Sequence, residues 1–173
     1  MAVSAGINVA LTLFESIAGD LGLGSKTHRV DYPGTLNNGK YASGTGNNQQ
    51  DLVWSDQRTL VATSEQLDLA GVLTAAIGGA ALTFVEVRGI CVVNRSTTAA
   101  SRLIVGAGAN PAFDGLFNAT GDGVKVPASG IFFWHAPLDG GGLTVTATTG
   151  DMLTIDSGAA TVTYDIVIWG VSA

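Results

Sequence analysis

Alternation of apolar and polar positions is the main pattern along the chain beyond its first quarter, and a period of two residues predicts β-strands. It is clearest in TVTYDIVIWGVS, residues 161–172. The even positions Val162, Tyr164, Ile166 and Ile168 share one predicted face, and the other face carries Thr163, Asp165, Val167 and Trp169. This segment is therefore predicted to be a strand with one buried face.

Two further segments have the length and composition of strands. In TFVEVRGICVVN, residues 83–94, the odd positions form an apolar face, and the even positions begin with Glu86 and Arg88 before turning apolar at Ile90 and Val92. GIFFWHAP, residues 130–137, is apolar at both odd and even positions. Such a pattern predicts a strand that is covered on both faces.

Shorter strand candidates lie between these segments and are separated by clusters of Gly, Asp, Asn and Pro, which favour tight turns. They are residues 53–62, 66–69, 101–106, 123–126, 142–147 and 151–155. Many short strands without an amphipathic helix predict an all-β protein. The favoured interpretation is a jelly-roll β-sandwich of about eight strands over residues 49–173, with an N-terminal extended arm over residues 1–48.

The predicted arm contains one strand-like piece, INVALTLFES, followed by a stretch rich in glycine and asparagine. It has too few apolar residues to fold alone, so we expect it to become ordered against a partner. The alternative is a loose tail of the sandwich. The candidate partner-binding residues are apolar or aromatic: Val9, Leu11, Leu13, Phe14, Tyr32 and Tyr41.

The polar run GTGNNQQD, residues 44–51, passes abruptly into Leu52, Val53 and Trp54. No nucleophile, base or set of metal ligands converges on it. The run also marks a change in charge, because acidic and basic residues balance before it and acidic residues are in excess after it. We interpret it as the joint between arm and sandwich, with Trp54 as a core anchor.

Composition narrows the classes of function. Charged residues make up 13% of the chain and the net charge is −6, which argues against a nucleic-acid partner because phosphate contacts need clustered Lys and Arg. The sequence contains no run of 18 uninterrupted apolar residues, so no membrane span is predicted. The single Cys91 excludes an internal disulfide and fits synthesis in a reducing cytoplasm. A low surface charge is tolerable for a protein that lives in an assembly.

Two glycine-rich stretches resemble nucleotide-binding loops but depart from the required spacing. In GDLGLGSKT, residues 19–27, Ser25 separates Gly24 from Lys26, whereas a phosphate-binding loop needs Gly followed directly by Lys. In GAGANP, residues 106–111, Pro111 stands where a third glycine should open a helix. Both are interpreted as turns, and no cofactor is predicted.

Catalytic chemistry has no support in the side chains. The two histidines, His28 and His135, have no G-x-S-x-G elbow to accompany them, and a zinc site would need more Cys and His. His135 is expected to end a buried strand. Aspartates beside glycines at 114, 122, 139 and 151 are what tight turns demand, although adventitious Ca²⁺ binding there stays open. The chain is predicted to be no enzyme, with no catalytic or metal-binding residue.

Residues 44–170 resemble small structural proteins of tailed bacteriophages, similar in layout to the jelly-roll cement, or decoration, proteins of phage heads. The resemblance rests on the polar run into Leu-Val-Trp-Ser-Asp, on the Leu-Asp-Leu-Ala-Gly turn, and on Thr-Gly-Asp followed by Tyr-Asp-Ile-Val-Ile. It implies a virion component assembled in the host cytoplasm, lying on the head surface. It also implies the major capsid protein as partner, and we expect a homo-oligomer.

Alternative functions stay open from the sequence. The same sandwich would suit a tail, baseplate or fibre component. A carbohydrate-binding module would use Trp54, Trp134 or Trp169 as a sugar platform, although each sits in an apolar context that favours a core position.

Overall fold

The computed structural model describes residues 40–71, 73–74, 81–106, 108, 112–117, 119–136 and 140–172, together with the backbone of 5–6, 12–17 and 26–31. Side chains are described from residue 42 onward. These parts of the chain contain strands, turns and no helix, which confirms the all-β prediction. The strands are β1 Ala5–Gly6, β2 Thr12–Ile17, β3 Lys26–Asp31, β4 Lys40–Ser43, β5 Gln49–Gln50, β6 Leu52–Val61, β7 Ser64–Asp68, β8 Glu86–Asn94, β9 Leu103–Gly106, β10 Gly123–Val126, β11 Ile131–His135, β12 Leu143–Thr144, β13 Met152–Asp156 and β14 Thr161–Val171.

Two antiparallel sheets make up the body of the protein. One has the order β11-β8-β14-β6, with the two-residue β12 also paired to β8, and the other has the order β10-β9-β13-β7. The pairing is nested along the chain: β6 pairs with β14, β7 with β13, β8 with β11, and β9 with β10. Each sheet therefore contains strands from both halves of the body.

The two sheets share one hydrophobic core. Buried side chains of β14 and β8, such as Ile166 and Ile90, belong to the same cluster as Leu153 and Val105 of the other sheet. The four residues predicted for the buried face of the last strand are all at most 1% exposed, as expected: Val162, Tyr164, Ile166 and Ile168. Trp54 is 5% exposed and lies in the same cluster, which confirms it as a core anchor.

A β-bulge at Arg88 changes which positions of β8 face the core. Trp169 of β14 lies opposite Gly89, but the next residue, Gly170, lies opposite Val87, so Arg88 is an extra residue in β8. A bulge interrupts the alternation of side chains. Val87 and Ile90 are therefore both fully buried, although an unbroken alternation would place them on opposite faces.

β11 corrects the expectation that residues 130–137 are covered on both faces. β11 is an edge strand of its sheet, and Ile131 and Phe133 are 66% and 40% exposed. Their neighbours Phe132 and Trp134 pack against the core. β11 is apolar on both sides because one side packs on the core and the other is an exposed apolar face.

The N-terminal strands pair among themselves and with the start of the body. β2 and β3 form an antiparallel pair, with Phe14 opposite Arg29. β4 pairs with β1 and also, in parallel, with the short β5. In the described parts of residues 1–48, the backbone therefore includes paired strands.

Candidate interaction surface

An apolar patch covers part of the face of the five-stranded sheet that points away from the core. We call it the outer patch and define it by Ile131 and Phe133 of β11, Cys91 and Val93 of β8, and Val167 of β14. The register places Phe133, Cys91 and Val167 in one row across three strands, and Ile131 beside Val93 in the next row. Cys91, Val93 and Val167 are half-buried, whereas Ile131 and Phe133 are exposed. Contiguous exposed apolar surface of this kind is typical of an interaction site.

Three aromatic rings border one end of the outer patch. The ring centroids of Phe133 and His135 lie 5.9 and 6.1 Å from that of Trp169. The indole lies over Gly89, where an added Cβ would come within 1.9 Å of its ring. The ring of Trp169 is buried outside the core cluster, and its Nε1 has no hydrogen-bond partner among the described residues. Gly89 thus makes room for an aromatic wall on the outer face.

The outer patch itself carries no formal charge near neutral pH. Burial lowers the pKa of His135 below its ordinary value of 6.5, although a hydrogen bond to the backbone oxygen of Arg88 acts in the opposite direction. The ring is therefore neutral at pH 7. Asp165, next to Val93 in the register, is paired with Arg95 at 3.0 Å and accepts a hydrogen bond from Gln57 at 2.8 Å. An apolar centre with a polar rim resembles the anatomy of protein–protein interfaces.

Residues 44–50, which we call the strap, are held against the body by Arg88. The guanidinium group is fully buried and donates hydrogen bonds to the backbone oxygens of Thr45 (2.7 Å), Gly46 (2.5 Å) and Gln49 (2.8 Å). Its Nε also donates to Glu86 Oε1 at 2.9 Å. The polar run of the sequence is thus a fixed segment, and Arg88 contacts it on both sides of the boundary predicted between residues 48 and 49.

Of the predicted partner-binding residues, Val9, Leu11 and Tyr32 lie outside the described residues. For the others the backbone alone is described: Leu13 and Phe14 in β2, and Tyr41 in β4. Leu13 lies opposite Val30, and Tyr41 lies opposite Ala5. Their role as partner contacts stays a prediction.

The three tryptophans occupy different environments. Trp54 is in the core, and Trp134 is half-buried and packs against it. Trp169 is buried as expected, at 5% exposed, but its ring lies outside the core cluster, over Gly89 on the outer face. None of the three presents a fully exposed ring face of the kind that a sugar platform uses.

The aspartates beside glycines make the turn contacts that their setting predicts. Asp122 accepts a hydrogen bond from the amide of Ala119, and Asp151 from the amide of Thr148. Asp114 accepts one from the hydroxyl of Thr120, while Asp139 lies outside the described residues. Among the described residues, no group of three or more His, Cys, Asp or Glu side chains could hold a metal ion.

A surface depression of about 420 Å³ lies between residues 112–115 and 142–150. Asp114 is its charged side chain, and the other lining residues are apolar or carry hydroxyl groups. No base or nucleophile pair accompanies this carboxylate among the lining residues.

No helix in the described part of the chain is long and apolar enough to cross a membrane.

The outer patch was not predicted from the sequence, although a signal for it was present. GIFFWHAP is apolar at odd and even positions, and this pattern fits either a central strand or an edge strand with one exposed apolar face. Strand order decides between the two, and strand order is not readable from one sequence.

Comparison of the chain with protein-family models, with curated proteins and with solved structures finds no match.

Proposed function

We propose that residues 49–173 form a jelly roll. In this fold, eight strands are paired as a long hairpin, first with last and so on inward, and the hairpin is rolled into two four-stranded sheets. Numbered in chain order without the two-residue strands β5 and β12, the strands of the body have the orders 6-3-8-1 and 5-4-7-2. Both orders follow from that nested pairing, and this supports the proposal.

We further propose that the protein is a non-enzymatic virion component that decorates a phage head. It binds the major capsid protein on the outer surface of the head and bridges neighbouring capsid subunits. The observation that carries this proposal is the uncharged outer patch on a chain of net charge −6. The resemblance of residues 44–170 to jelly-roll decoration proteins supports the same function.

Bridging requires two contact regions on one molecule, and the chain offers two. The outer patch supplies an apolar contact whose position is fixed by the sheet. The arm supplies a second, extended contact, and the strap fixes the point at which the arm leaves the body because Arg88 binds three of its carbonyl oxygens. A bridge of this kind adds buried interface between capsid subunits.

The affinity expected of the outer patch alone is modest. Full burial of an exposed Ile or Phe side chain contributes about 1.5–3 kcal/mol, part of which offsets the entropy lost on association. Two exposed side chains therefore give weak attachment. Stable decoration needs the arm as well, or several copies bound together, in which case the effective affinity rises without new types of contact.

The test is binding of the purified protein to separated phage heads and tails, measured by co-sedimentation. We expect binding to expanded heads, weaker binding after deletion of residues 1–43, and weaker binding of Val93→Lys, which places a charge within the outer patch. Val124→Lys is the control, because Val124 is an exposed valine of β10 on the other sheet. Binding to tails alone would overturn the head assignment in favour of a tail, baseplate or fibre component.

A further inference from the structure

We propose that the outward edge of β11, centred on Phe133, pairs with the same edge of a second copy of this chain, so that the protein forms a two-fold symmetric dimer with one continuous sheet. This deepens the proposed function by naming the self-association surface. Its test uses the purified protein alone, so its failure is distinguishable from failure to bind heads.

The four strands that end the two sheet orders, β11, β6, β10 and β7, differ in charge. Three of them carry charged side chains: β6 has Asp56 and Arg58, β7 has Glu65 and Asp68, and β10 has Lys125. β11, with the sequence IFFWH, carries no acidic or basic residue beyond His135, whose ring is neutral near pH 7. Charges on edge strands are a common protection against edge-to-edge pairing. β11 lacks that protection and also has neither proline nor a bulge.

The hydrogen-bond pattern shows which backbone groups of β11 point to the open edge. Asn94 N–H donates to the oxygen of Gly130, and Ala136 N–H donates to the oxygen of Arg88. Because directly opposed residues of an antiparallel pair are hydrogen-bonded alternately, the even positions of β11 bond to β8. The N–H and C=O groups of Ile131 and Phe133 therefore point away from β8, and they have no partner among the described residues.

This edge can pair with itself. With a two-fold axis at Phe133, each Phe133 lies opposite the Phe133 of the second copy, and Ile131 lies opposite its His135. All of these positions are odd, so outward-pointing groups meet outward-pointing groups on both strands. The Phe133 side chains then lie side by side on the outer face, an aromatic cross-strand pair of the kind that stabilises sheets. A two-fold contact uses the same surface on both subunits and closes on itself.

A second copy is favoured as the occupant because the edge is self-complementary in register and carries no charge on an otherwise acidic chain. Two molecules of net charge −6 repel each other, and the repulsion is smallest where both present an uncharged surface. The outer patch includes Ile131 and Phe133 of β11, so pairing at this edge joins the outer patches of the two copies into one larger apolar face. Such a face would give the dimer twice the apolar contact that one copy offers to a capsid.

The experiment is sedimentation equilibrium of the full chain at roughly 1 µM to 1 mM, the range in which small interfaces associate. We expect a monomer–dimer equilibrium in the wild type. In Phe133→Lys, two like charges stand directly opposite each other, and in Phe133→Pro the central outward N–H is lost. Each substitution should raise the dimer dissociation constant by about tenfold or more.

Three further variants complete the experiment. Ile131→Lys is a second test of the edge, and Val61→Lys and Val124→Lys are its controls. Val124 is 40% exposed, as is Phe133, and Val61 is 66% exposed, as is Ile131, so each pair is matched in exposure on different edges. Ile131→Lys should weaken the dimer, while Val61→Lys and Val124→Lys should leave it unchanged. A wild type that stays monomeric at about 1 mM would overturn the proposal. So would a dimer that withstands Phe133→Pro in a variant shown by circular dichroism to be folded.

Discussion

At the scale of single residues, the indole of Trp169 packs so closely on Gly89 that only glycine fits at this position. A methyl group there would come within 1.9 Å of the indole, closer than any real contact, and the indole is itself buried. We expect Gly89→Ala to lower the free energy of unfolding by about 1–3 kcal/mol, because the ring must shift or the strands must separate. Urea unfolding followed by tryptophan fluorescence measures the change.

Gly150→Ala is the control for this substitution. A Cβ at Gly150 would meet its nearest neighbour, Thr146 Cβ, at 3.7 Å, which is an ordinary contact. We expect a change within about 0.5 kcal/mol. Equal losses in the two variants would show that the indole is not fixed over Gly89.

Arg88 is the second residue whose surroundings lead to a sharp expectation. Arg88→Met leaves the carbonyl oxygens of the strap without their donor and leaves Glu86, whose side chain is 14% exposed, without its cation. Removing one partner of such a buried pair costs about 3–5 kcal/mol. We expect that loss in urea unfolding, together with faster hydrogen exchange of the strap amides.

Arg95→Met is the matched control, because Arg95 also forms an ion pair with an acidic residue but is 56% exposed. Exposed ion pairs contribute at most about 1 kcal/mol. Should Arg95→Met destabilise the protein as much as Arg88→Met, the burial of Arg88 would not be the source of its effect.

At the scale of elements, Tyr164 of β14 connects the two sheets. Its hydroxyl donates to Glu65 Oε1 of β7 at 2.5 Å, and Glu65 is also bonded to Arg58 of β6. Burial, followed by the hydrogen bond to Glu65, raises the pKa of Tyr164 well above its ordinary value of 10.0. The hydrogen bond from Arg58 to Glu65, together with one to Asp56, raises the pKa of Arg58 above its ordinary value although burial acts in the opposite direction, so the guanidinium charge is retained.

This raised pKa predicts a loss of stability at high pH. Below pH 10 the tyrosine is protonated in both the folded and the unfolded states, and its contribution is fully present. Above pH 10 the unfolded tyrosine loses its proton while Tyr164 keeps it, so stability falls by up to about 1.4 kcal/mol per pH unit. The free energy of unfolding of the Tyr164→Phe variant, measured by urea unfolding, should fall less steeply between pH 10 and 11 than that of the wild type. An unchanged slope would contradict the prediction.

Most strands were predictable because their alternation is set by burial on one face. β14 shows this, since its even positions from Val162 to Ile168 are aliphatic or aromatic and all four are in the core. The bulge at Arg88 was not predictable, because a one-residue insertion leaves no mark in the pattern of β8: Val87 and Ile90 are apolar in either register. Strand order was equally hidden, since it depends on contacts between residues as distant as Leu60 and Val162.

At the scale of the whole molecule, the strap decides where the folded body begins. A chain shortened to residues 44–173 keeps every acceptor of Arg88 that lies in the strap, whereas one shortened to residues 51–173 loses all three. We expect the shorter chain to be less stable by about 3 kcal/mol or more. Thermal unfolding of the two chains, compared with the full chain, measures the difference; equal midpoints would contradict it.

The outer patch was the part of the site least accessible from the sequence. Leu13, Phe14 and Tyr41 stand out as apolar residues in a polar segment, so sequence analysis selects them. Phe133 and Ile131 lie in an apolar strand, where exposure is decided by the place of β11 at the edge of the sheet. Among many apolar residues, the exposed ones are identified by strand order rather than by residue type.

The thiol of Cys91 can be used as a built-in chemical probe of the outer patch. It is the single cysteine, it is half-buried, and it lies beside Phe133 in the middle of the outer patch. Burial raises the pKa of its thiol above 9.0, so alkylation by a maleimide should be slow at pH 7 and accelerate with rising pH. Whatever covers the outer patch should slow that reaction further. The rate of alkylation, followed by mass spectrometry, therefore reads out occupancy of this face in any assembly without introducing a label site.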